Sequence, residues 1–173
     1  LVGFSHADIG REVARFLIDK GRRRLALIRA EDERAERRAG AFTEAVQRAG
    51  HGPVAVVNVG ASRSLRSGRE ALGRLLEQAP DVDAIFCSSD LLALGVATEA
   101  RVRGIAVPHD LALVGFGDVS FAADMAPALS TVRINGAEMG RLAARCLIDR
   151  AEGRPVSPAV FDVGFSIVER ETT

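Results

Sequence analysis

The chain has 173 residues, of which 47% are hydrophobic, so it is long enough for one complete domain with a substantial core and short for two. Its 23 basic and 23 acidic residues leave no net charge, which argues against this segment itself being a nucleic-acid-binding surface. Its apolar runs all fall short of the roughly 20 residues that a membrane-spanning helix needs, so no membrane partner is expected. The chain begins at Leu1 rather than at a methionine, and we expect the start of the protein to lie upstream.

The first part of the chain predicts a helix, a buried strand and a second helix. Ser5 and Asp8 have the spacing of a capping box, and apolar residues then recur at helical spacing until Gly21. Residues 25–28 form a short apolar run, typical of a strand that is buried on both faces. The charged stretch 29–38 leads into the second helix, whose apolar stripe consists of Ala35, Phe42, Val46 and Ala49.

Strand and helix patterns continue to alternate through the middle of the chain. The predicted strand starts, near residues 24, 54, 83 and 111, recur every ~30 residues, which is the length of one βαβ unit. Helical patterns lie between them, the last from about Leu91 to Arg103 with Gly104 as its stop. The fold class predicted is therefore α/β, with a parallel sheet flanked by helices on both faces.

The alternation ends after residue 118. Residues 119–130 show no clear element, and Thr131-Val132 forms a short strand at most. Asn135 and Glu138 have the spacing of a second capping box, and the helix predicted after them bears an apolar stripe that includes Cys146. The stretch 160–168 alternates apolar and polar residues and is predicted to be one strand. We expect this irregular crossover to mark a change of lobe.

Polar clusters follow two of the predicted strands. Ser88, Ser89 and Asp90 come directly after one, and Gly117 and Asp118 close the glycine loop after the next. Ligands of open parallel sheets bind outside the carboxyl ends of the strands, so both clusters are candidates for a binding site. Short polar side chains also cap helices, and the two roles are compatible because a cap needs only one side chain. Asp118 fits a turn residue, a helix cap or an acceptor for sugar hydroxyls equally well.

A third polar group follows the strand at residues 25–28. The stretch Arg34–Arg38 has the composition of a solvated helix face, which is the more common interpretation of such a charge run. Its position after a strand end also suits bidentate binding of ligand hydroxyls or a carboxylate by a guanidinium. Asp32, Arg34 and Arg38 are therefore candidate site residues. Arg22–Arg24 precedes the strand and is interpreted as surface.

The standard catalytic signatures are missing from the sequence. It contains no phosphate-binding Gly-x-x-x-x-Gly-Lys loop, no histidine pair at metal spacing, no Cys-x-x-Cys and no Gly-x-Ser-x-Gly. Gly115 and Gly117 follow a strand but lack the third glycine of a dinucleotide loop. We therefore expect a chain that is not an enzyme and needs no cofactor or metal. Cys87 and Cys146 are too few for a disulfide framework and fit a reducing cytosol.

Several stretches together resemble the effector-binding domain of LacI/GalR-type transcriptional repressors. That family has an Asn-Asp pair before an alanine-rich helix, a Gly-x-x-x-Pro turn, a Val-Gly-Phe-Asp-Asp strand end, a Pro-x-Leu-Thr-Thr-Val stretch and a closing Val-x-Arg. Each pattern is loose, but all of them occur here in order and with suitable spacing along the whole chain. The matching stretches are CSSDLLALGV, RGIAVPHDLALVGFGD, PALSTVR and IVERET.

The resemblance implies a two-lobed sensor domain of the type I periplasmic-binding-protein kind, incomplete at its N-terminus. Residues from about 8 to 117 would form most of the C-terminal lobe, and residues from about 118 to 173 would cross and return between the lobes. A sugar-sized cleft would lie between the lobes. The family also implies an upstream helix-turn-helix that binds operator DNA, a homodimer, and a cytoplasmic location.

The family's binding residues carry over one at a time. Arg38 matches the arginine that clamps effector hydroxyls. Ser89 stands where asparagine is usual, and Asp90 matches the aspartate after it, expected with Ser88 to cap the helix near the site. Gly117 stands where many members have an effector-binding aspartate, and Asp118 matches the next aspartate of that pair.

The glycine at position 117 favours an anionic effector. A neutral sugar would lose an acceptor there, whereas an acid would be spared repulsion between like charges. With Arg38 nearby, a sugar acid is the effector expected, and the forms GFGD and STVR are similar to those of repressors of gluconate utilisation. Two other hypotheses are a periplasmic sugar-binding protein of an uptake system and an enzyme of doubly wound α/β type.

Overall fold

A computed structural model describes residues 1–61, 63–156, 158 and 160–173. Its helices are α1 (His6–Asp19), α2 (Glu33–Arg48), α3 (Leu65–Gln78), α4 (Asp90–Val102) and α5 (Gly136–Ala151), with a short 3-10 helix at Ser120–Ala122. Its strands are β1 (Val2–Gly3), β2 (Leu25–Arg29), β3 (Ala55–Asn58), β4 (Ala84–Cys87), β5 (Ala112–Phe116), β6 (Ser130–Arg133), β7 (Phe161–Asp162) and β8 (Ser166–Val168).

The main sheet has six strands in the order β3-β2-β4-β5-β6-β8. All neighbouring strands run parallel except the last pair, because β8 is antiparallel to β6. The predicted α/β class is confirmed. The strand starts predicted near residues 24, 54, 83 and 111 correspond to β2 to β5, each of which begins within one residue of the expected position.

Helices cover both faces of the sheet, and the strands divide their side chains between two cores. In β2, Leu25 and Leu27 face a core that includes Val13 and Phe42, from α1 and α2. Ala26 and Ile28 face the opposite core, which α3 and α4 cover. Successive side chains of a strand point to opposite faces, so a strand covered on both sides must be apolar throughout. The strands appear in the sequence as short apolar runs because helices cover both faces of the sheet.

The chain changes direction across the sheet between β2 and β4, which are neighbours although β3 lies between them in sequence. The helix that follows β2 packs on one face, and the helix that follows β4 packs on the other. Two adjacent strands whose helices leave to opposite sides open a crevice at their carboxyl ends, where open sheets bind ligands.

The prediction of one strand across residues 160–168 is wrong. Gly164 has a left-handed backbone, with φ of 64°, and its N–H donates to the Asp162 side chain over 2.8 Å. This turn separates β7, which pairs in parallel with β1 in a two-stranded sheet, from β8, which joins the main sheet. The predicted lobe boundary near residue 118 stays a prediction.

The last helix differs from its predicted packing. Its apolar stripe lies outside both cores, and Leu147 and Ile148 are 70% and 54% exposed. None of the helices in the described ranges is both long enough and apolar enough to cross a membrane.

The contact between α3 and α4 depends on glycine. A Cβ on Gly95 would collide with the Leu65 carbonyl oxygen and with Gly68, whereas a Cβ on Gly40 of α2 would meet nothing within 4 Å. We expect Gly95→Ala to lower the free energy of unfolding by about 1–3 kcal/mol through overpacking. Gly40→Ala should raise it by about 0.5–1 kcal/mol through helix propensity.

Urea unfolding measures the stability of both glycine variants. The opposite signs of the two changes in the free energy of unfolding distinguish an effect of packing from one of helix propensity. A Gly95→Ala protein that unfolds at the same or a higher urea concentration than the wild type would contradict the close approach of the two helices.

Candidate functional site

The carboxyl ends of β2 and β4 are held together by Ser88. Its Oγ accepts from the Ala30 N–H over 3.0 Å, and its own N–H donates to the Ile28 carbonyl over 2.9 Å. Ser88 is 7% exposed, so these bonds are shielded from water. The side chain that was expected to cap α4 instead joins the two strands that border the crevice.

The cap of α4 is Ser89. Its backbone is extended, with φ of −157° and ψ of 157°, and its Oγ accepts from the Leu92 N–H over 3.3 Å. Asp90 is the first residue of the helix, and its carboxylate oxygens accept from Thr131 and Val119 rather than from the N–H groups of the first turn. The prediction that Ser88 and Asp90 cap the helix is therefore wrong, and the predicted site residue Ser89 carries that role.

Asp90 ties α4 to the loop after β5 and to β6. It is 1% exposed, and its two carboxylate oxygens accept from the Thr131 hydroxyl over 2.5 Å and from the Val119 N–H over 2.8 Å. Burial raises the pKa of Asp90, outweighing the lowering by these hydrogen bonds, and the nearby Asp118 charge adds to the rise. Its role is to hold the loop that contains Gly117 and Asp118.

The backbone conformation at position 117 favours glycine. Its φ is 130°, a conformation that residues with a side chain rarely adopt, and a Cβ there would lie 3.5 Å from Asp90 Oδ2. An aspartate at this position would be strained and would place a second carboxylate beside a buried one. The missing carboxylate therefore has a conformational cause besides the electrostatic one inferred from the sequence.

Asp118 is bound by two arginines. One carboxylate oxygen accepts from Arg170 Nη2 over 2.7 Å, the other accepts from Arg133 Nε, and the Asp118 side chain is only 10% exposed. Burial alone would raise the pKa of Asp118, but the hydrogen bonds and charges of Arg170 and Arg133 outweigh it and lower the pKa. The residue has a left-handed backbone, with φ of 51°, and its predicted role as an acceptor for ligand hydroxyls stays a prediction.

On the other side of the crevice, Arg38 of α2 is 4% exposed. Its guanidinium carbon lies 4.1 Å from the centroid of the Phe116 ring, and its Nη1 lies 2.9 Å from His6 Nδ1. Its Nε is buried and has no hydrogen-bond partner within the described part of the chain. Burial lowers the pKa of Arg38 to about 10, against the opposing charge of Asp32, so the side chain stays cationic at neutral pH.

Asp32 and Arg34, the other two predicted site residues, lie at the start of α2. Asp32 caps this helix by accepting from the Ala35 N–H over 2.9 Å, and its second oxygen pairs with Arg63. Arg34 is exposed and lines a cavity of about 520 Å³ together with His6. The positive charge of Arg34 is close enough to lower the pKa values of both His6 and Arg38.

The structure thus brings the predicted residues to one edge of the sheet as two groups. Arg38, Arg34 and Asp32 lie on the α2 side, and the second group lies on the α4 side. Phe116 joins the groups, because it stacks on Arg38 and directly precedes Gly117. The second group consists of Ser88, Ser89, Asp90, Gly117 and Asp118.

Sequence reasoning missed His6, Phe116 and Arg170. The capping box at Ser5 implied that His6 begins a helix, as the hydrogen bond from Asp8 N–H to Ser5 Oγ confirms, but it gave no sign of the contact with Arg38. Arg170 lies 52 residues from Asp118, so local spacing carried no signal for their contact. In the described ranges, no cluster of histidine, cysteine or acidic residues could hold a metal ion.

Comparison with known proteins relates the chain to a domain family and to transcriptional regulators. Residues 14–173 match the periplasmic binding protein-like domain family. The chain is 37% identical to the HTH-type transcriptional regulator GntR of Pseudomonas aeruginosa, over 99% of this chain and 51% of that protein. The chain belongs to the periplasmic binding protein-like domain family, among its LacI-type transcriptional regulators.

Solved structures of this LacI-type group agree with the assignment. The transcription regulator GntR from Chromobacterium violaceum superposes with a TM-score of 0.93 and 34% identity, over 99% of this chain and 64% of that one. A complex of the transcriptional regulator CelR with cellobiose superposes with a TM-score of 0.87 and 31% identity, over 99% of this chain and 53% of that one. The chain spans about half the length of the curated relatives it matches. These relatives favour a regulator over a periplasmic uptake protein.

The two arginines on Asp118 make stability depend on pH. The pKa of Asp118 is lower in the folded protein than its ordinary value of 3.8, so ionised Asp118 stabilises the fold fully at pH values above 3.8. This stabilisation is lost as the pH falls through the pKa of Asp118 in the folded protein. We expect Arg170→Met to reduce the free energy of unfolding by about 3 kcal/mol at pH 7, because it leaves a nearly buried carboxylate with one partner fewer.

Urea unfolding between pH 7 and pH 3 tests the Arg170 prediction, and the difference from the wild type should shrink below about pH 4 as Asp118 becomes protonated. Arg145→Met is the matched control, because the Arg145 side chain is 82% exposed. Equal effects of the two substitutions would contradict the role given to Arg170.

Proposed function

We propose that this chain is the effector-binding part of a LacI-type, DNA-binding transcriptional regulator. A small sugar or sugar acid would bind at the carboxyl ends of β2, β4 and β5, where Phe116 connects Arg38 to the loop at Gly117. The observation that carries this proposal is the buried Arg38 guanidinium, whose Nε has no partner within the described residues. The LacI-type relatives support it.

A buried and incompletely paired guanidinium is a costly arrangement. Leaving a buried donor without an acceptor costs about 1–3 kcal/mol, and more when the group is charged. The planar guanidinium offers its donors in a fixed fork that matches a carboxylate or a pair of hydroxyls. A ligand with such oxygens would satisfy Arg38, and Phe116 and His6 already hold the guanidinium on its other sides.

The charges around Arg38 favour a sugar acid. Arg34, Arg37 and Arg63 add positive charge on the α2 side, where Asp32 is already paired with Arg63. On the α4 side, Asp118 is paired with two arginines, and both carboxylate oxygens of the buried Asp90 accept hydrogen bonds. An anionic ligand would therefore be attracted by a cationic group that has an unpaired donor. Few unpaired carboxylates would repel it.

Regulation would work by a shift of conformational populations. The effector would bind one arrangement of the lobes more tightly than another, and that arrangement would set the spacing of the DNA-binding heads of a homodimer on the operator. An upstream helix-turn-helix would bind the DNA, so the protein would act in the cytoplasm. The proposal assigns no catalytic step to this chain.

The first prediction from this proposal concerns ligand charge. The intact regulator should bind gluconate at least about tenfold more tightly than sorbitol, because a charge-assisted hydrogen bond contributes about 1.5–3 kcal/mol. Sorbitol is the matched control, since it is an open chain with a hydroxymethyl group in place of the carboxylate, and glucose is the neutral sugar. Titration calorimetry measures all three, and tighter binding of either neutral compound would overturn the preference for an acid.

The second prediction concerns Arg38. Arg38→Met keeps the apolar contact with Phe116 but removes the charged donors, so the effector should no longer change operator binding while operator binding itself persists. Arg48→Met is the matched control on the same helix, because Arg48 is a 72% exposed side chain paired with Glu44. Fluorescence anisotropy of labelled operator, with and without gluconate, measures both variants. An undiminished response of Arg38→Met would show that Arg38 does not bind the effector.

A further inference from the structure

His6 faces the guanidinium on which the proposed function depends. Its Nδ1 lies 2.9 Å from Arg38 Nη1. A guanidinium has five N–H donors and no acceptor, so the imidazole nitrogen must accept this hydrogen bond. The acceptor nitrogen carries no proton, which means that His6 is neutral with its proton on Nε2.

Aromatic contacts hold the imidazole and the guanidinium in one arrangement. The His6 ring meets the Phe4 ring edge to face, with centroids 4.7 Å apart and an interplanar angle of 71°. Phe4 lies 6.4 Å from Phe116, which in turn stacks on Arg38. Phe116 therefore sets the plane of the guanidinium, and His6 sets its rotation within that plane.

The helix that carries His6 is itself fixed against α2 at the level of Arg38. A Cβ on Gly10 would collide with the Arg38 carbonyl oxygen and the Phe42 N atom, so the two backbones touch at this turn. Ser5 caps α1 by accepting from the Asp8 N–H over 3.1 Å, which fixes His6 as its first residue. Both ends of the hydrogen bond between His6 and Arg38 therefore start from rigid helices in direct contact.

We propose that His6 is a positioning residue for effector binding, which acts by accepting a hydrogen bond from Arg38 and directing the guanidinium's remaining donors towards the ligand. This inference rests on the proposed function for its effect on affinity. The hydrogen bond itself, and the proton position it requires, do not depend on the identity of the ligand.

The charges near His6 are consistent with a neutral ring. Burial lowers the pKa of His6, and the charges of Arg38, Arg34 and Arg37 lower it further, while Asp32 opposes them. The cavity beside His6 is also lined by Glu33 and Asp162. Protonation at acid pH would place a proton on Nδ1 and a second positive charge beside Arg38, so the hydrogen bond would be lost.

The test compares two substitutions in the intact regulator, with gluconate as the probe in titration calorimetry. His6→Phe keeps an aromatic ring against Phe4 but removes the acceptor, and we expect affinity to fall about tenfold. His6→Asn offers an acceptor oxygen near the position of Nδ1, and it should restore affinity to within about threefold while abolishing the weakening of wild-type binding at acid pH. His109→Phe is the control, because that ring is 89% exposed at the opposite edge of the sheet.

Equal affinity of His6→Phe and the wild type, or failure of His6→Asn to restore binding, would overturn the inference. A measurement without ligand separates it from the proposed function. Long-range proton–nitrogen NMR of the wild type should find His6 Nδ1 unprotonated at neutral pH, and a proton on Nδ1 would overturn the inference whatever the protein binds. If the wild type does not bind gluconate but has an unprotonated Nδ1, the proposed ligand is wrong, whereas the hydrogen bond between His6 and Arg38 is supported.

Discussion

The crevice at the candidate site forms because β2 and β4 are neighbours whose following helices pack on opposite faces of the sheet. Neither helix can then cover the carboxyl ends of the two strands, and a crevice results. Ser88 bonds to the backbone of both Ile28 and Ala30 and keeps the strand ends together without filling the space above them. The candidate residues predicted from the sequence all lie in a loop or helix that follows β2, β4 or β5, whereas His6 begins α1.

The charged groups on the two sides of the crevice differ in how completely they are hydrogen-bonded. On the α4 side, hydrogen bonds occupy both oxygens of Asp90 and both oxygens of Asp118. On the α2 side, Arg38 retains a buried Nε without a partner in the described part of the chain. A guanidinium with an unpaired donor, opposite carboxylates whose oxygens already accept hydrogen bonds, is the basis for proposing an electron-rich ligand here. His6 is the group that determines where the unused donors point.

Several features were predicted because they depend on local sequence. The strands β2 to β5 begin where apolar runs begin, and Ser5 and Asn135 cap the helices that their spacing indicated. Predictions failed where the outcome depended on backbone angles. Ser89 caps α4 because its backbone is extended. The left-handed backbone at Gly164 divides the last predicted strand into two. Neither angle is encoded by the periodicity of apolar residues.

Apolar periodicity and strand-end chemistry are local properties, so the sequence alone was enough to predict the α/β class, the strand positions and the polar residues at the strand ends. The partners of these residues became known only from the packing of the fold. Arg38 meets His6 from 32 positions away, and Asp118 meets Arg170 from 52 positions away, through contacts between elements that no spacing rule connects. The difference is physical, because a side chain's capacity to bind a ligand depends on the hydrogen bonds and burial that packing leaves it. Arg38 is the strongest candidate for ligand binding because packing buries it and leaves its Nε unpaired within the described residues.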